Sequence, residues 1–379
     1  MNRSNYNKKM KVGILTSSRA DFGIYYPLLK ELWNDKSFEV EIIVFGTHLN
    51  KEYGYTVEEI IKSGFSVKHK IKTLTKNDTA SNISYSIGDA ITKFSVFWKE
   101  TNFDLVIALG DRYEMFAAVA AASPFNIDIA HIHAGETTLG AIDNSYRHNI
   151  SIMSKYLFVS TEEYKKRAIE INQQPDNVFK VGALSIDNLK KHELYTKKEF
   201  KQIFNIDLSK PSILSTFHPE TISFEKNQEY IEQLISAFKK LKKTYQIIIT
   251  MPNSDTMGDM IRKKLIDFSY GLENVKLVES FGMKGYLSCM KYCSFLLGNT
   301  SSGFVEASYF PKWVINLGER QKGRIITNNI LNTVISTKDI LTSVSKIECT
   351  KLPKNKNIYG NGMSAKKITT KIKLLYGLK

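Results

Sequence analysis

Residues 105–148 read LVIALGDRYEMFAAVAAASPFNIDIAHIHAGETTLGAIDNSYRH, and the fold is decided by how this stretch is read. Two short apolar runs, 105–109 and 127–132, have the length and branching of strands buried on both faces of a parallel sheet. Between them, residues 113–122 are alanine-rich and predict a helix. A strand–helix–strand unit returns its second strand parallel to the first, so the polar ends of both emerge at the carboxyl edge of the sheet. Gly110, Asp111 and Arg112 follow the first strand; His131, His133 and Glu136 surround the end of the second. Open α/β sheets bind ligands at that edge. Residues 142–154 predict another helix, with Asp143 and Arg147 four apart on one face. Three acidic residues (Asp111, Glu136, Asp143), three histidines and two arginines thus gather at one place, a candidate catalytic site. For Asp143 and Arg147 the plain alternative is a helix ion pair.

Composition bounds what surrounds this unit. The chain has 379 residues, which exceeds one ordinary core and predicts two domains. Hydrophobic residues make up 42% and charged residues 24%, the proportions of a globular domain rather than a disordered chain. No apolar run approaches the roughly 20 residues that span a bilayer. The N-terminal MNRSNYNKKMKVGIL has too short an apolar run for a signal peptide. Cys289, Cys293 and Cys349 lack disulfide or zinc-like spacing, so they are expected to be reduced residues of a cytoplasmic protein. The net charge of +15 comes from lysines spread along the whole chain. That pattern predicts a solvated surface rather than one for nucleic acid or a membrane, and its positive field would help an anionic small-molecule substrate.

Taken in order, strands are expected at 11–15, 40–45, 67–71, 105–109, 127–132, 156–159 and 178–181, alternating with helices. A doubly wound sheet with right-handed crossovers follows. Apolar order falls and charge rises through 190–207, which places the interdomain connection near residue 187. The second half repeats the pattern, with strands at 213–217, 246–251, 275–278, 295–297 and 314–317, the last clear one. The expected division is therefore 1–187 and 188–364, with a final helix at about 365–379 packing back on the first domain. The fold class is α/β: two Rossmann-like domains whose polar strand ends meet at a cleft.

Several loops carry chemistry. Residues 298–303, GNTSSG, open an expected helix at 304–308 and form an anion cradle with Ser301 and Ser302. The stretch lacks the Gly-Lys-Ser/Thr ending of a P-loop. Arg320, Lys322 and Arg324 add positive charge at the same sheet edge. Arg19, in the small polar turn after the first strand, suits a phosphate, with a helix capped by Asp21 as the plain alternative. Asn253 and Asp255 offer acceptors for ribose hydroxyls or form an Asx turn. His218 directly follows an apolar strand and precedes Glu220 by two positions, which favours a functional histidine. His131 and His133 alternate along a strand end, so one faces the site and the other is structural. Together with Asp111 and Glu136 their spacing fits no standard zinc pattern, so no metal is expected.

Six ordered motifs, SSRADFG, LGDRYE, HIHAGETTLGAIDNSYRH, FHPET, NTSSGFVEA and GERQKGR, resemble the UDP-N-acetylglucosamine 2-epimerase family over about residues 10–378. They resemble most its hydrolysing branch, which makes N-acetylmannosamine for sialic acids. The resemblance implies the GT-B arrangement and a defined chemistry. A base removes the C2 proton while UDP leaves C1, giving a 2-acetamidoglucal to which water then adds. It implies Asp111, Glu136 and Asp143 as acid/base residues, with His218 assisting diphosphate departure. Arg19, Ser301, Ser302, Arg320 and Arg324 would hold the diphosphate, and Arg112 and Arg147 would contact substrate. Asn253, Asp255, Phe281 and Glu306 would hold uridine, with Phe281 against the base. No metal or redox cofactor is implied, and relatives are homodimers or homotetramers.

Non-hydrolysing relatives carry glutamate where this chain has His133, which favours the hydrolysing branch and leaves Glu136 or Asp143 to take over that role. Two alternatives stand beside this reading. The same chemistry on UDP- or GDP-N,N′-diacetylbacillosamine would serve legionaminic acid synthesis. A GT-B glycosyltransferase would share the nucleotide cradle, but it would need an acceptor and no acidic cluster.

Overall fold

In the computed structural model, the described residues are 9–73, 79–191, 193–222, 224–252, 257–310, 312–352 and 357–378. They form two compact units. Unit 1 comprises Met1–Glu136, Asp143–Asn188 and Gly360–Lys379; unit 2 comprises Thr137–Ile142 and Leu189–Tyr359.

Unit 1 is built on seven parallel strands: β1 (Met10–Thr16), β2 (Phe38–Val44), β3 (Val67–Lys70), β4 (Leu105–Leu109), β5 (Ile129–Ile132), β6 (Tyr156–Val159) and β7 (Val178–Lys180). Their spatial order is β3-β2-β1-β4-β5-β6-β7. Alternate residues feed two cores, one on each face. Ile14, Ile42 and Ile107 pack on one side; Leu15, Ile43, Val106 and Ala108 pack on the other with Phe94 and Trp98. Burial on both faces explains why these strands read as unbroken apolar runs. The order reverses between β1 and β4, a topological switch point, so the loops after these strands diverge and leave a crevice. Those loops are the SSR turn and the Gly-Asp-Arg turn.

Helix Arg19–Asn34 follows β1 and contains Pro27. Proline has no N–H to donate to the carbonyl four residues back. The Gly23 carbonyl instead accepts a hydrogen bond from Asn188 Nδ2 at 2.7 Å. Helix Ser364–Leu375 buries Ala365, Ile368 and Ile372 in the core of unit 1. Asp187, fully buried, caps it by accepting from the backbone N–H groups of Ser364 (2.9 Å) and Ala365 (2.8 Å).

Unit 2 has six parallel strands: β8 (Ser212–Thr216), β9 (Gln246–Thr250), β10 (Val275–Val278), β11 (Phe295–Gly298), β12 (Trp313–Leu317) and β13 (Ile330–Thr333). The order β10-β9-β8-β11-β12-β13 places its switch point between β8 and β11. His218 follows one of these strands and the Asn-Thr-Ser-Ser-Gly loop the other. Among the described residues, no helix is long and apolar enough to cross a membrane.

Three local expectations are corrected. β13 extends the sheet beyond the expected last strand; its apolar pair Ile330-Leu331 is too short to stand out in sequence. Within 190–207, where apolar order falls, helix Lys197–Phe204 forms because Thr196 and Glu199 make a capping box and Phe200 is buried. The helix expected at 304–308 is instead two single 3₁₀ turns, Ser301–Gly303 and Glu306–Ser308. Five residues do not repay the nucleation cost of an α-helix.

Candidate active site

In unit 1 the site is built around Arg147, on helix Asp143–Ile152. Its Nη2 pairs with Asp111 Oδ2, and its Nη1 donates to Glu136 Oε2 at 3.2 Å and to the His133 carbonyl at 3.3 Å. One guanidinium thus draws together the ends of β4 and β5. The side chains of Arg147 and Glu136 are only 3% and 2% exposed, whereas Asp111 is 25% exposed. Glu136 Oε1 also accepts from Ser160 Oγ at 3.4 Å and lies 3.9 Å from His133 Nδ1. Burying carboxylates in this way is costly unless a cation and hydrogen-bond donors replace the water they lose. Arg147, expected to contact substrate, pairs in this structure with both carboxylates.

Of the two alternating histidines, His131 is the structural one. It is fully buried; Nε2 meets the Gly110 carbonyl at 2.7 Å and Nδ1 meets Ser151 Oγ at 2.9 Å. A carbonyl only accepts, so Nε2 carries the proton and Nδ1 accepts from the serine. Burial pushes its pKa down to about 3, keeping it neutral. His133 stands beside the carboxylates with φ +69°. A side-chain-bearing residue in the left-handed region costs of order 1–3 kcal/mol and persists where the surroundings enforce it.

Arg112 forms a two-pronged pair with the buried Glu114, Nε to Oε2 at 3.2 Å and Nη2 to Oε1 at 3.0 Å. Asp143 is half-buried beside Tyr146, whose pKa is raised first by burial and then by the Asp143 charge. Arg19 is half-buried in the SSR turn. There Asp21 accepts from Ser17 N–H (2.9 Å), Ser17 Oγ (2.7 Å) and Ser18 N–H (3.1 Å), so those donors serve the capping box. Burial raises the Asp21 pKa despite nearby Arg112.

In unit 2, amides assemble the strand-end loops. Asn299, fully buried, clamps the His218 backbone from both sides: its Oδ1 accepts from His218 N–H at 2.7 Å and its Nδ2 donates to the His218 carbonyl at 2.8 Å. Gln321 Nε2 donates to the Asn299 carbonyl at 2.8 Å, and Gln321 Oε1 accepts from Arg324 Nε at 2.6 Å. A chain of hydrogen bonds therefore joins His218 to Arg324. Ser301 is exposed; Ser302 is half-buried and shares a 2.5 Å hydrogen bond with Tyr286 Oη. Glu306 is half-buried near Tyr286, and Arg320 is half-buried. With 3₁₀ turns in place of an α-helix, an anion here would meet local N–H groups and hydroxyls rather than a helix macrodipole.

Phe281 is buried against Phe200 (5.3 Å between ring centroids) and Phe204 (4.9 Å), so its ring is held in an aromatic cluster. Asn253 and Asp255 lie outside the described residues. Glu114, Ser160, Asn299 and Gln321 were given no role in the sequence reading; a polar residue right after an apolar strand is the only signal that picks out Ser160 and Asn299. Among the described residues, no group of three or more His, Cys, Asp or Glu is arranged to hold a metal ion.

The family model "UDP-N-acetylglucosamine 2-epimerase" matches residues 30–373. The chain is 35% identical to GDP/UDP-N,N′-diacetylbacillosamine 2-epimerase (hydrolyzing) of Campylobacter jejuni, over 92% of this chain and 90% of that one. It is 33% identical to polysialic acid biosynthesis protein P7 of Escherichia coli, over 88% and 85%. The structure of UDP-GlcNAc 2-epimerase from Neisseria meningitidis bound to UDP-GlcNAc superposes with a TM-score of 0.81 at 21% identity, covering 96% of this chain and 99% of that one. The fold class, two Rossmann-like units of the GT-B type, is shared with it.

Proposed function

The chain belongs to the UDP-N-acetylglucosamine 2-epimerase family, and from that premise we propose that it is a hydrolysing 2-epimerase of a nucleoside-diphosphate 2-acetamido sugar. The first substrate on this reading is UDP-N-acetylglucosamine, converted to UDP and N-acetylmannosamine. The observation that carries the reading is the cluster in which Arg147 holds Asp111 and Glu136 beside His133.

The chemistry begins when a carboxylate takes the C2 proton and the C–H electron pair becomes the C1–C2 double bond. The C1–O bond breaks and its electrons leave with UDP. Water then adds to the 2-acetamidoglucal, placing hydroxyl on C1 and a proton on C2 from the face that inverts it. No net oxidation occurs. Asp111 has the accessible carboxylate of the pair and is assigned proton transfer, as is Asp143. Glu136 is nearly inaccessible and is assigned the orientation of His133, which occupies the position of a glutamate in non-hydrolysing relatives. His218 is assigned to the departing diphosphate. Arg19, Ser301, Ser302, Arg320 and Arg324 are assigned to hold it, since donors fixed in advance stabilise charge as it develops. Asn253, Asp255, Phe281 and Glu306 are assigned to uridine. The expected assembly is a homodimer or homotetramer, in the cytoplasm.

The second reading is the same reaction on a diacetylbacillosamine nucleotide, favoured by the name of the 35% identical Campylobacter jejuni relative. The test is incubation with each nucleotide sugar in deuterated water, followed by proton NMR. N-acetylmannosamine deuterated at C2, released with UDP, is the expected result. Release of unepimerised N-acetylglucosamine would overturn the mechanism. Turnover of the diacetylbacillosamine nucleotide alone would select the second reading.

A further inference from the structure

Residues 137–142 pack in unit 2, although the residues on either side, Glu136 and Asp143, belong to unit 1. The excursion has a definite set of partners. Leu139 N–H donates to the Lys322 carbonyl at 2.9 Å, and Ile142 N–H donates to Thr221 Oγ1 at 2.9 Å. Gly140 lies so close to the basic loop that a Cβ would overlap the Glu319 carbonyl and come within 2.7 Å of Arg320 Cα. From the other side, a Cβ on Gly323, whose φ is +91°, would meet Thr137 Cγ2 at 2.6 Å. Glycine is required at Gly140 by approach and at Gly323 by both approach and backbone conformation.

We infer that residues 137–142 are a positioning strap for the loop 318–324, with Gly140 and Thr221 as its two anchor points. The strap sets the backbone course on which Arg320 and Arg324 stand. Its two ends are joined directly to Glu136 and Asp143, so a diphosphate that tightens the loop also tightens the chain that carries these acidic residues. The inference rests on the reading of 318–324 as a diphosphate loop. It goes beyond that reading in making residues of the acidic motif part of the nucleotide-binding machinery.

The test uses UDP and the full chain. Hydrogen–deuterium exchange should show UDP slowing exchange at 319–324 and, with it, at Leu139 and Ile142. Thr221→Val removes the acceptor of the Ile142 N–H without changing side-chain size and should weaken UDP binding about fivefold in calorimetry. Thr221→Ser, which keeps the acceptor, should bind UDP within about twofold of the parent. This rescue separates positioning from general loss of packing. Protection of 319–324 with unchanged exchange at 139 and 142 would overturn the strap alone, as would Thr221→Val binding UDP as the parent does. UDP that protects neither segment would overturn the diphosphate reading and the strap with it.

Discussion

Arg147 Nη1 lies 3.2 Å from Glu136 Oε2, and neither side chain is more than 3% exposed. The same guanidinium binds Asp111, so a single buried cation neutralises two carboxylates on different strand ends. Removing it leaves negative charges without a counterion, and breaking such a pair costs about 3–5 kcal/mol. Arg147→Met should therefore lower stability by about that amount in urea denaturation. Arg147→Lys keeps the charge but loses the fork that reaches both carboxylates, so it should fall between parent and Arg147→Met. A variant as stable as the parent would show that the pair carries no such burden.

His133 combines a strained backbone with proximity to Glu136. Asparagine tolerates the left-handed conformation better than most residues but cannot transfer protons as imidazole does. His133→Asn should keep the melting temperature within a few degrees while turnover falls about 100-fold or more, the usual worth of a general acid or base. Undiminished turnover would remove His133 from the mechanism.

Gln321 connects Asn299 to Arg324 through hydrogen bonds of 2.8 and 2.6 Å. Gln321→Met keeps the length of the side chain and removes both bonds. An arginine released from its orienting partner binds an anion less tightly, so the KM for the nucleotide sugar should rise about tenfold, roughly 1.4 kcal/mol, with kcat little changed. An equal loss in kcat at constant KM would assign Arg324 to the chemical step instead.

Stability should fall in acid for a definable reason. His48 and His131 are fully buried, and burial pushes both pKa values down to about 3 from the usual 6.5. The unfolded chain binds these protons near pH 6.5, while the folded chain resists them until about pH 3. Their contribution is complete above pH 6.5 and is lost as pH falls from there toward 3. Two such groups contribute a slope of up to about 2.7 kcal/mol per pH unit in that window. In His48→Gln the slope measured by urea midpoints should drop by about half.

The class of fold was readable because its signals are local. β4 and β5 are apolar runs flanked by polar residues, with an alanine-rich helix between, and this pattern survives without knowledge of any distant contact. β13 and helix Lys197–Phe204 escaped because the first has only two apolar residues and the second is eight residues of which half are charged. The 3₁₀ turns after β11 escaped because sequence showed where a helix could start, not how little chain was left for it.

The sequence by itself determined the parallel strands, the edge at which their polar residues emerge and, through six ordered motifs, the family. Those properties follow from short-range periodicity and from residue identity at fixed spacing. The tertiary structure alone decided which histidine is a buried neutral scaffold and which stands with the carboxylates, since His131 and His133 differ only in what surrounds them. It also decided that Arg147 serves Asp111 and Glu136, and that residues 137–142, between Glu136 and Asp143, pack within unit 2, where Leu139 and Gly140 meet the loop 318–324. Both outcomes depend on groups 11 to 183 residues apart that meet only after folding. The partner of a buried charge is set by burial and distance, neither of which is a property of the local sequence.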